Sequence, residues 1–517
     1  MCASLLCKFD ANYAREKYGE LGTPEIHGIT VSKCLRRAIG NKGFCILHDE
    51  EAWNKVPADR IIGSVNQAIR RGEQAFIGCH LPSIRINLRG TSFALAFCTL
   101  HGRTEFRGSY DSLVLFGSVF LDDVDFLSDI RSIDCTNATF HARFGFQSSI
   151  RGPSLFFGTK FEAGALMDRC IFEGDALFSG AIFGREMWGS DFSETIFKRT
   201  ASFSQCSFLS PTDFHNAKFE GDVSFERSRI LSPLSFNGSR FAKSGDFRGI
   251  DFSLNLETPL VVLEDVVFGN PEQVVFAGSN LSYVSFIGTS IEKLALDNVE
   301  WLRIGRREVI ASELQLRDAL ALRTNMAYSP DDVARAYREL RENFEEQRRH
   351  SEAGKFFVGE MEAERLRPLF SDLWRESTAR DLRDRLILLR NTIPSGKINA
   401  IKQKVEIYCC LVAFRLLAFI RVRLSLLSLY GVLSKYGESF WLPALWSLLL
   451  IAVSAGAILF QKPLSVDTVF DAIFASASIF LFAEQPRDLP GLLERIFGIL
   501  LMGMLLIALR RRFLRYQ

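Results

Sequence analysis

Several signatures that would point to a chemistry are missing from this 517-residue chain. Its seven histidines are dispersed, and neither a GxSxG nor an HExxH segment occurs, so nucleophile-elbow and zincin catalysis have no carrier. Ser395-Gly396-Lys397 lacks the glycine loop that precedes a phosphate-binding lysine. Charge of one sign is also missing: 62 Lys and Arg stand against 60 Asp and Glu, a formal balance of +2 that marks no polyanion binder. Eleven cysteines, odd in number and scattered, do not make a disulfide framework and fit reduced thiols in a cytoplasmic setting. The start, MCASLLCKFD, has no basic n-region leading into a long apolar run, so no secretory signal is expected, and Cys2 and Cys7 read as free thiols. The chain is therefore not expected to be an enzyme.

Phenylalanine is what the chain has in excess: 46, against 10 Tyr and 6 Trp, most of them between residues 90 and 290. Their spacing is the main signal. Phe192, Phe197, Phe203, Phe208, Phe214, Phe219, Phe225, Ile230, Phe236, Phe241, Phe247 and Phe252 follow one another at five or six residues without a miss. Before them the series is looser, running through Leu95, Leu100, Phe106, Phe120, Phe126, Phe140, Phe146, Phe156, Phe161, Leu166, Phe172, Phe178 and Phe183. After a break from Leu254 to Asn270 it returns in strict fives at Phe276, Leu281, Phe286, Ile291, Leu296 and Trp301. Neither the 3.6 period of a helix nor the 2 of a half-buried strand places large side chains this way. Each block of five must be one side of a larger unit.

Small side chains sit two positions before many of these centres: Ala201, Cys206, Thr212, Ala217, Ser228, Ser239 and Gly245. That pairing resembles the pentapeptide-repeat family in its Phe-rich form. The resemblance implies a right-handed quadrilateral β-helix, a solenoid in which large and small residues both point inward. Four blocks complete a coil of roughly 20 to 22 residues, and stacked coils pair as parallel strands, giving a rod of roughly 45 to 50 Å. From Thr91 to Leu256 there are 16 Lys and Arg against 20 Asp and Glu, 16 − 20 = −4 with both signs mixed, so no nucleic-acid mimicry or nucleic-acid partner is expected.

The remaining sequence divides around this block. Residues 1–89 form an N-terminal cap segment, 90–301 the β-helix, 302–376 a helical hairpin region, 377–437 basic juxtamembrane or amphipathic helices, and 438–517 a membrane domain. In the cap, Cys45 and His48 have a C-x2-H spacing, with Cys34 upstream and Cys79-His80 downstream, which offers zinc a thiolate and an imidazole. Buried, unligated cysteines in a cap over the first open β edge are the competing reading, and no other cofactor is expected. In the hairpin region Ser329-Pro330-Asp331-Asp332 starts a helix whose apolar positions are Val333, Ala336, Tyr337, Leu340 and Phe344, and a second antiparallel helix follows a joint near Arg349 to Glu352.

Phe440 to Phe460 is 21 residues without a formal charge, enough to cross a hydrocarbon core of about 30 Å. Leu489 to Leu509 is a second span, broken only by Glu494-Arg495 near one end. Lys435 precedes the first, and Arg510, Arg511, Arg512 and Arg515 follow the second, which predicts both ends in the cytoplasm of an inner-membrane protein. Between the spans, Val469 to Ala483 is too short to cross and reads as a re-entrant helix. Ser377 to Gly437 carries 11 Lys and Arg against 3 Asp and Glu, 11 − 3 = +8, with Arg415, Arg421 and Arg423 breaking its apolar run. A basic helix lying on an anionic leaflet fits those features.

Span, re-entrant helix, loop, span is the order of two-span potassium-channel-like pore domains, and this segment resembles them. It also resembles bacterial pentapeptide-repeat proteins that end in such a domain, through the Tyr337 to Arg365 block, Leu429-Tyr430 with Tyr436-Gly437-Glu438-Ser439, and Ala508-Leu509-Arg510-Arg511-Arg512-Phe513. Where a potassium filter has TVGYG, this chain has Phe482, Ala483, Glu484, Gln485 and Pro486, so potassium selectivity is not supported. Glu484, repeated around a symmetric oligomer, forms an acidic ring that favours cations, with Asp488 at the mouth; the plainer reading is that Glu484 ends the helix. Two functions follow: a homo-oligomeric pore, tetrameric if the analogy holds, joined to a solenoid that binds a protein partner, or a membrane-tethered binding scaffold without conductance.

Overall fold

A computed structural model describes residues 16–17, 25–26, 29–30, 44–185, 189–250, 261–305, 307–322, 328–367, 426–459, 466–483, 485 and 489–514. The chain divides into two compact units, Met1–Gly305 with Ile310–Ser312, and Arg306–Val309 with Glu313–Gln517.

The first unit is a parallel β-solenoid of about nine coils. Its strands are short pairs of residues: Ser190–Asp191, Ile196–Phe197, Ala201–Ser202 and Ser207–Phe208 occupy four successive sides. The next strand, Thr212–Asp213, pairs in parallel with the first, Ser190↔Thr212, so four sides complete one coil. Fives and sixes alternate because two of the four corners differ from the other two. After Phe192, Phe203, Phe214 and Phe225 the chain turns through a left-handed residue, Glu194, Gln205, Asn216 and Arg227, with φ of 56°, 57°, 55° and 54°. These tight corners make the five-residue sides; the others take six.

Large residues fill the inside in columns. Phe178, Phe203, Phe225, Phe247 and Phe276 stack at centroid separations of 4.8, 5.0, 5.5 and 4.7 Å, with ring planes within 7° of parallel. Adjoining columns meet edge to face, as Phe203 on Phe214 at 83° and Phe225 on Phe236 at 88°. Both geometries suit the ring quadrupole. Phe192, Phe197, Phe208, Phe219, Ile230, Phe241, Leu281, Phe286 and Ile291 are buried as well, while Phe252 lies outside the described residues. The small positions are buried too, and two of the hydroxyls among them bond to a neighbouring coil: Ser228 Oγ donates to the Phe203 carbonyl at 2.7 Å and Ser239 Oγ to that of Phe214 at 2.6 Å, whereas Thr212 Oγ1 bonds to the Ser210 carbonyl of its own coil. Each hydroxyl thereby finds a buried acceptor, a carbonyl that also takes the N–H of Cys206 or Ala217 within its own corner.

Three features depart from the sequence pattern. Leu166 does not point inward; Met167 does, at 0% exposure, because the six-then-five alternation puts the column one residue later. Within the break at 254–270 the described residues from 261 on continue the coil, since Val261–Val262 pairs with Leu234–Ser235 and Val267–Phe268 with Arg240–Phe241. The first coils are built differently, from long strands Ile84–Ala96 and Thr104–Val114 paired from Ile84↔Thr104 onward, and the coil already begins at Ala75–Ile77. The 89/90 boundary thus falls inside a strand whose alternating Ile84-Arg85-Ile86-Asn87-Leu88 hides the five-residue count. Ahead of it lie α1 (Ala52–Lys55) and α2 (Ala58–Arg70), the latter burying Ile61, Val65 and Ala68 along one face.

The second unit is helical: α3 (Ala311–Leu322, in this unit from Glu313 on), α4 (Pro330–Glu346), α5 (His350–Leu366), α6 (Leu426–Ser434), α7 (Trp441–Leu459), α8 (Val466–Phe480) and α9 (Leu489–Leu514). Ser329 and Asp332 form a capping box at the start of α4. Helices α4 and α5 pack antiparallel, Phe344 stacking on Phe356 at 5.3 Å and Arg338 Nε donating to the Glu360 carboxylate at 2.8 Å. Gly359 permits the approach, because a Cβ there would lie 2.3 Å from the Tyr337 ring.

Two helices are long and apolar enough to cross a membrane, Trp441–Leu459 and Pro490–Phe513 within α9, and only 11% and 22% of their apolar windows are buried. A soluble core helix would be enclosed; these expose Leu445, Leu448, Val453, Ile499, Leu500 and Leu506. They mark an association with membrane. Arg512 lies over the Phe440 ring at 4.5 Å, which sets the start of α7 beside the end of α9 and makes the pair antiparallel.

Candidate functional site

The three blocks that carried the membrane-domain resemblance converge on one turn. Between α6 and α7, Lys435, Tyr436 and Gly437 have φ of 51°, 58° and 81°, three left-handed residues in succession. Two of them are not glycine, which costs on the order of 1 kcal/mol each and persists only where surrounding contacts impose it. Those contacts are present. The Tyr436 hydroxyl donates to the Glu362 carboxylate on α5 at 2.7 Å, Arg511 Nη1 on α9 donates to the Tyr436 carbonyl at 3.0 Å, and Tyr436 packs so close to Gly431 that a Cβ there would lie 2.7 Å from its ring.

From Glu362 the network runs onward. Arg365 pairs with it at 2.6 Å and Arg317 of α3 lies 3.7 Å away. Arg317 Nε also donates at 2.6 Å to Glu313, a fully buried carboxylate that accepts from Arg307 and from the Tyr337 hydroxyl as well. Burial opposes ionisation of Glu362, but Tyr436 and Arg365 outweigh it and hold its carboxyl below the usual range. The same burial, with Glu362 opposite, pushes the Tyr436 phenol up. Removing one partner from such a network leaves a buried charge unpaired, at a cost of about 3–5 kcal/mol. The sequence shows none of this, because Glu313 and Glu362 sit in charge-rich helices where an acid reads as surface.

Helix α8 sits beside the two long helices. Ser476 Oγ lies 3.1 Å from the Ile451 carbonyl, midway along α7, and within hydrogen-bond distance of Glu494, which is 2% exposed. A Cβ at Gly498 would meet the Phe480 ring at 3.1 Å. The pairs 476/494 and 480/498 advance together, so α8 runs parallel to α9. Its last turn stands beside Gly498, about 13 Å from the start of α9 at roughly 1.5 Å of rise per residue. Phe482, with φ 65°, ends it: Phe482 N–H donates to Ile479 and Ala483 N–H to Ser478 at 3.2 and 2.7 Å, a Schellman motif. Arg495 lies over the Phe482 ring at 5.2 Å.

The residues singled out from sequence therefore fare differently. Phe482 and Ala483 form a helix cap rather than an extended run of carbonyls, Gln485 is exposed, and Glu484 and Asp488 lie outside the described residues, as do Arg415, Arg421 and Arg423. Arg511 turns inward to Tyr436 and to Glu438 at 3.3 Å, whereas Arg510 and Arg512 stay exposed. In the first unit, His48 stands between two buried thiols: Cys45 Sγ is 3.3 Å from Nδ1, and Cys79 Sγ is 3.7 Å from Nε2, which also meets the Ile77 carbonyl at 2.9 Å. The two sulfurs face opposite ring nitrogens. Among the described residues no group of three or more His, Cys, Asp or Glu is arranged to hold a metal ion.

Residues 203–251 match a family model described as pentapeptide repeats (nine copies). This stretch lies in the most regular coils and holds Phe203, Phe225 and Phe247 of the stacked column. No curated protein matches the chain.

Proposed function

We propose that the chain is a membrane-anchored solenoid whose C-terminal helices assemble, as a homo-oligomer, into a pore-like domain. One observation carries the reading: α8 is too short to cross a bilayer, yet it runs beside α7 and α9, its last turn about 13 Å along α9, and sets Ser476 against the buried Glu494. Two spans suffice for a tether. A third helix at membrane depth is tolerated where protein or a cavity encloses it, and its C-terminal end carries partial negative charge that favours a cation. Four copies around an axis would enclose α8 and cover Phe470 and Phe474, which are 70% and 75% exposed in one copy. In this reading Lys435 and the arginines near the end of α9 face the cytoplasm, and the solenoid offers its surface to a protein partner.

The scaffold reading keeps one observation of its own. Phe482 and Ala483 spend their N–H groups capping α8, which leaves no extended filter at those positions. Planar-bilayer recording of the full-length protein separates the two. The pore reading expects discrete cation-selective steps, reduced by Glu484→Gln, from an oligomer whose stoichiometry native mass spectrometry gives as four. Silence from a folded, reconstituted protein, or a monomer in lipid, leaves the scaffold.

A further inference from the structure

Within the second unit, a cavity of about 680 Å³ opens where α7 begins. Its walls come from three places: Arg307 and Glu308, the N-terminal half of α5 with Lys355, and the turn and span start Lys435 to Trp441 together with Arg512. Four cations face two acids there, and both acids are engaged. Glu308 takes Lys355 Nζ at 3.1 Å, and Glu438 takes Arg511 at 3.3 Å. Lys435 makes no ion pair among the described residues, and Arg512 has the Phe440 ring beneath it. Arg307 Nη1 is buried without a hydrogen-bond partner among the described residues. Arg307 is otherwise paired through Nη2 with the buried Glu313, so the positive charge that the described residues leave unneutralised in the cavity is that of Lys435 and Arg512.

Its position says what that charge meets. Trp441 is the first residue of α7 and is 71% exposed, as befits an aromatic ring at a membrane interface. Phe440 and Trp441 both line the cavity, which therefore lies at the level where a bilayer presents its headgroups. Lys435 has a left-handed backbone, which fixes the direction in which its side chain leaves the turn. We propose that this cavity binds the phosphate of an anionic phospholipid, with Lys435 and Arg512 taking the phosphate and Trp441 lying along the glycerol and upper acyl chain. Soluble phosphate shares the chemistry, but the aromatic wall and the adjoining span favour the lipid. The inference rests on α7 and α9 crossing the bilayer, and it assigns the domain a lipid ligand independent of conductance.

The full-length protein, carried in nanodiscs of phosphatidylglycerol mixed with phosphatidylcholine and then gently delipidated, is examined by native mass spectrometry. Wild type is expected to retain phosphatidylglycerol over phosphatidylcholine. Lys435→Gln and Arg512→Gln each lower that retention about fivefold, the effect of one cation near a headgroup. Arg510→Gln, which removes an equal charge from a residue outside the cavity, leaves it near wild type. Equal loss in all three variants means diffuse surface attraction and overturns the assignment, as does retention unaffected by Lys435→Gln and Arg512→Gln. Displacement of the lipid by millimolar inorganic phosphate assigns the cavity to a soluble anion instead. Carbonate extraction of membranes is the separate check on the spans: protein that stays in the pellet while showing no lipid preference defeats the cavity alone, and protein released by carbonate defeats the membrane reading.

Discussion

The Tyr436 hydroxyl and the Glu362 carboxylate meet at 2.7 Å from distant parts of the sequence, tying the turn that leads into the first long apolar helix to the helical hairpin. Since Arg511 holds the same turn from the far end of α9, the hairpin, both apolar helices and their junction share one set of polar contacts.

Tyr436→Phe removes the bond while keeping the ring against Gly431. A hydrogen bond to a carboxylate is worth about 1.5–3 kcal/mol, so the melting temperature of the detergent-solubilised protein should fall at pH 7. Because the carboxyl of Glu362 is held below its usual range, its contribution is present above the ordinary carboxylate pKa and lost as pH falls through the folded value. The variant should therefore differ most from wild type at neutral pH and converge with it in acid. Parallel melting curves across that range would remove Tyr436 from the cause.

Phe219 lies between Phe197 at 5.0 Å and Phe241 at 4.7 Å. Phe219→Asp places a charge inside that column, with no partner and no water, and is expected to cost about 4–5 kcal/mol and to unravel neighbouring coils with it. Loss of β signal in circular dichroism checks this, and an unchanged spectrum and melt would contradict the inward column.

Gly238 occupies a tight corner at φ 68°, and a Cβ there would approach Asn216 Oδ1, at the equivalent corner one coil earlier, to 2.3 Å. Gly238→Asn should be mild, since Asn216 tolerates the same backbone and an amide can shift. Gly238→Val should cost about 2 kcal/mol more, because a β-branched side chain fits the left-handed region poorly. Urea midpoints of the two variants give the comparison.

His80 and His101 stack with ring centroids 5.6 Å apart, and burial, then the neighbouring imidazole, lowers His80 to about 4. The unfolded chain takes up that proton near 6.5, so protonation favours unfolding, and stability falls between about pH 6.5 and pH 4 and levels below. With the ring partly exposed the loss is on the order of 1 kcal/mol. Hydrogen exchange over residues 75–101 should report it, and His80→Gln should flatten the profile.

Phe480→Cys combined with Gly498→Cys should cross-link under mild oxidation or with a short bifunctional reagent, whereas Phe480→Cys with Leu506→Cys should not. The reverse result would set the end of α8 about two turns deeper along α9 and withdraw the register on which the pore reading stands.

Much of this was legible as spacing. The column from Phe203 to Phe247 is visible in sequence because every inward position carries the same ring, and the capping box at Ser329 because its residues are local. What escaped was whatever depends on contacts far apart in sequence. Met167 rather than Leu166 turns inward because of a corner whose left-handed residue, Arg169, has no signature in composition. Val261 and Val267 continue the coil although nothing near them resembles a repeat. Glu313, Glu362 and Tyr436 meet only after the helices pack. Position in the chain marked Phe482 and Ala483 as filter candidates, but the backbone closes a helix there.

The sameness of the coils has a consequence for how the solenoid is indexed. Sliding one regular stretch past another by a full coil would exchange each Phe contact for an equivalent one, as ring succeeds ring at nearly constant separation. Two coils spoil that translation: Leu166 pairs with Asp191 and Leu234 with Val261, each a longer step along the chain than the one from Ser190 to Thr212. They act as notches on an otherwise uniform ruler, so that only one alignment of the chain brings every strand to its partner.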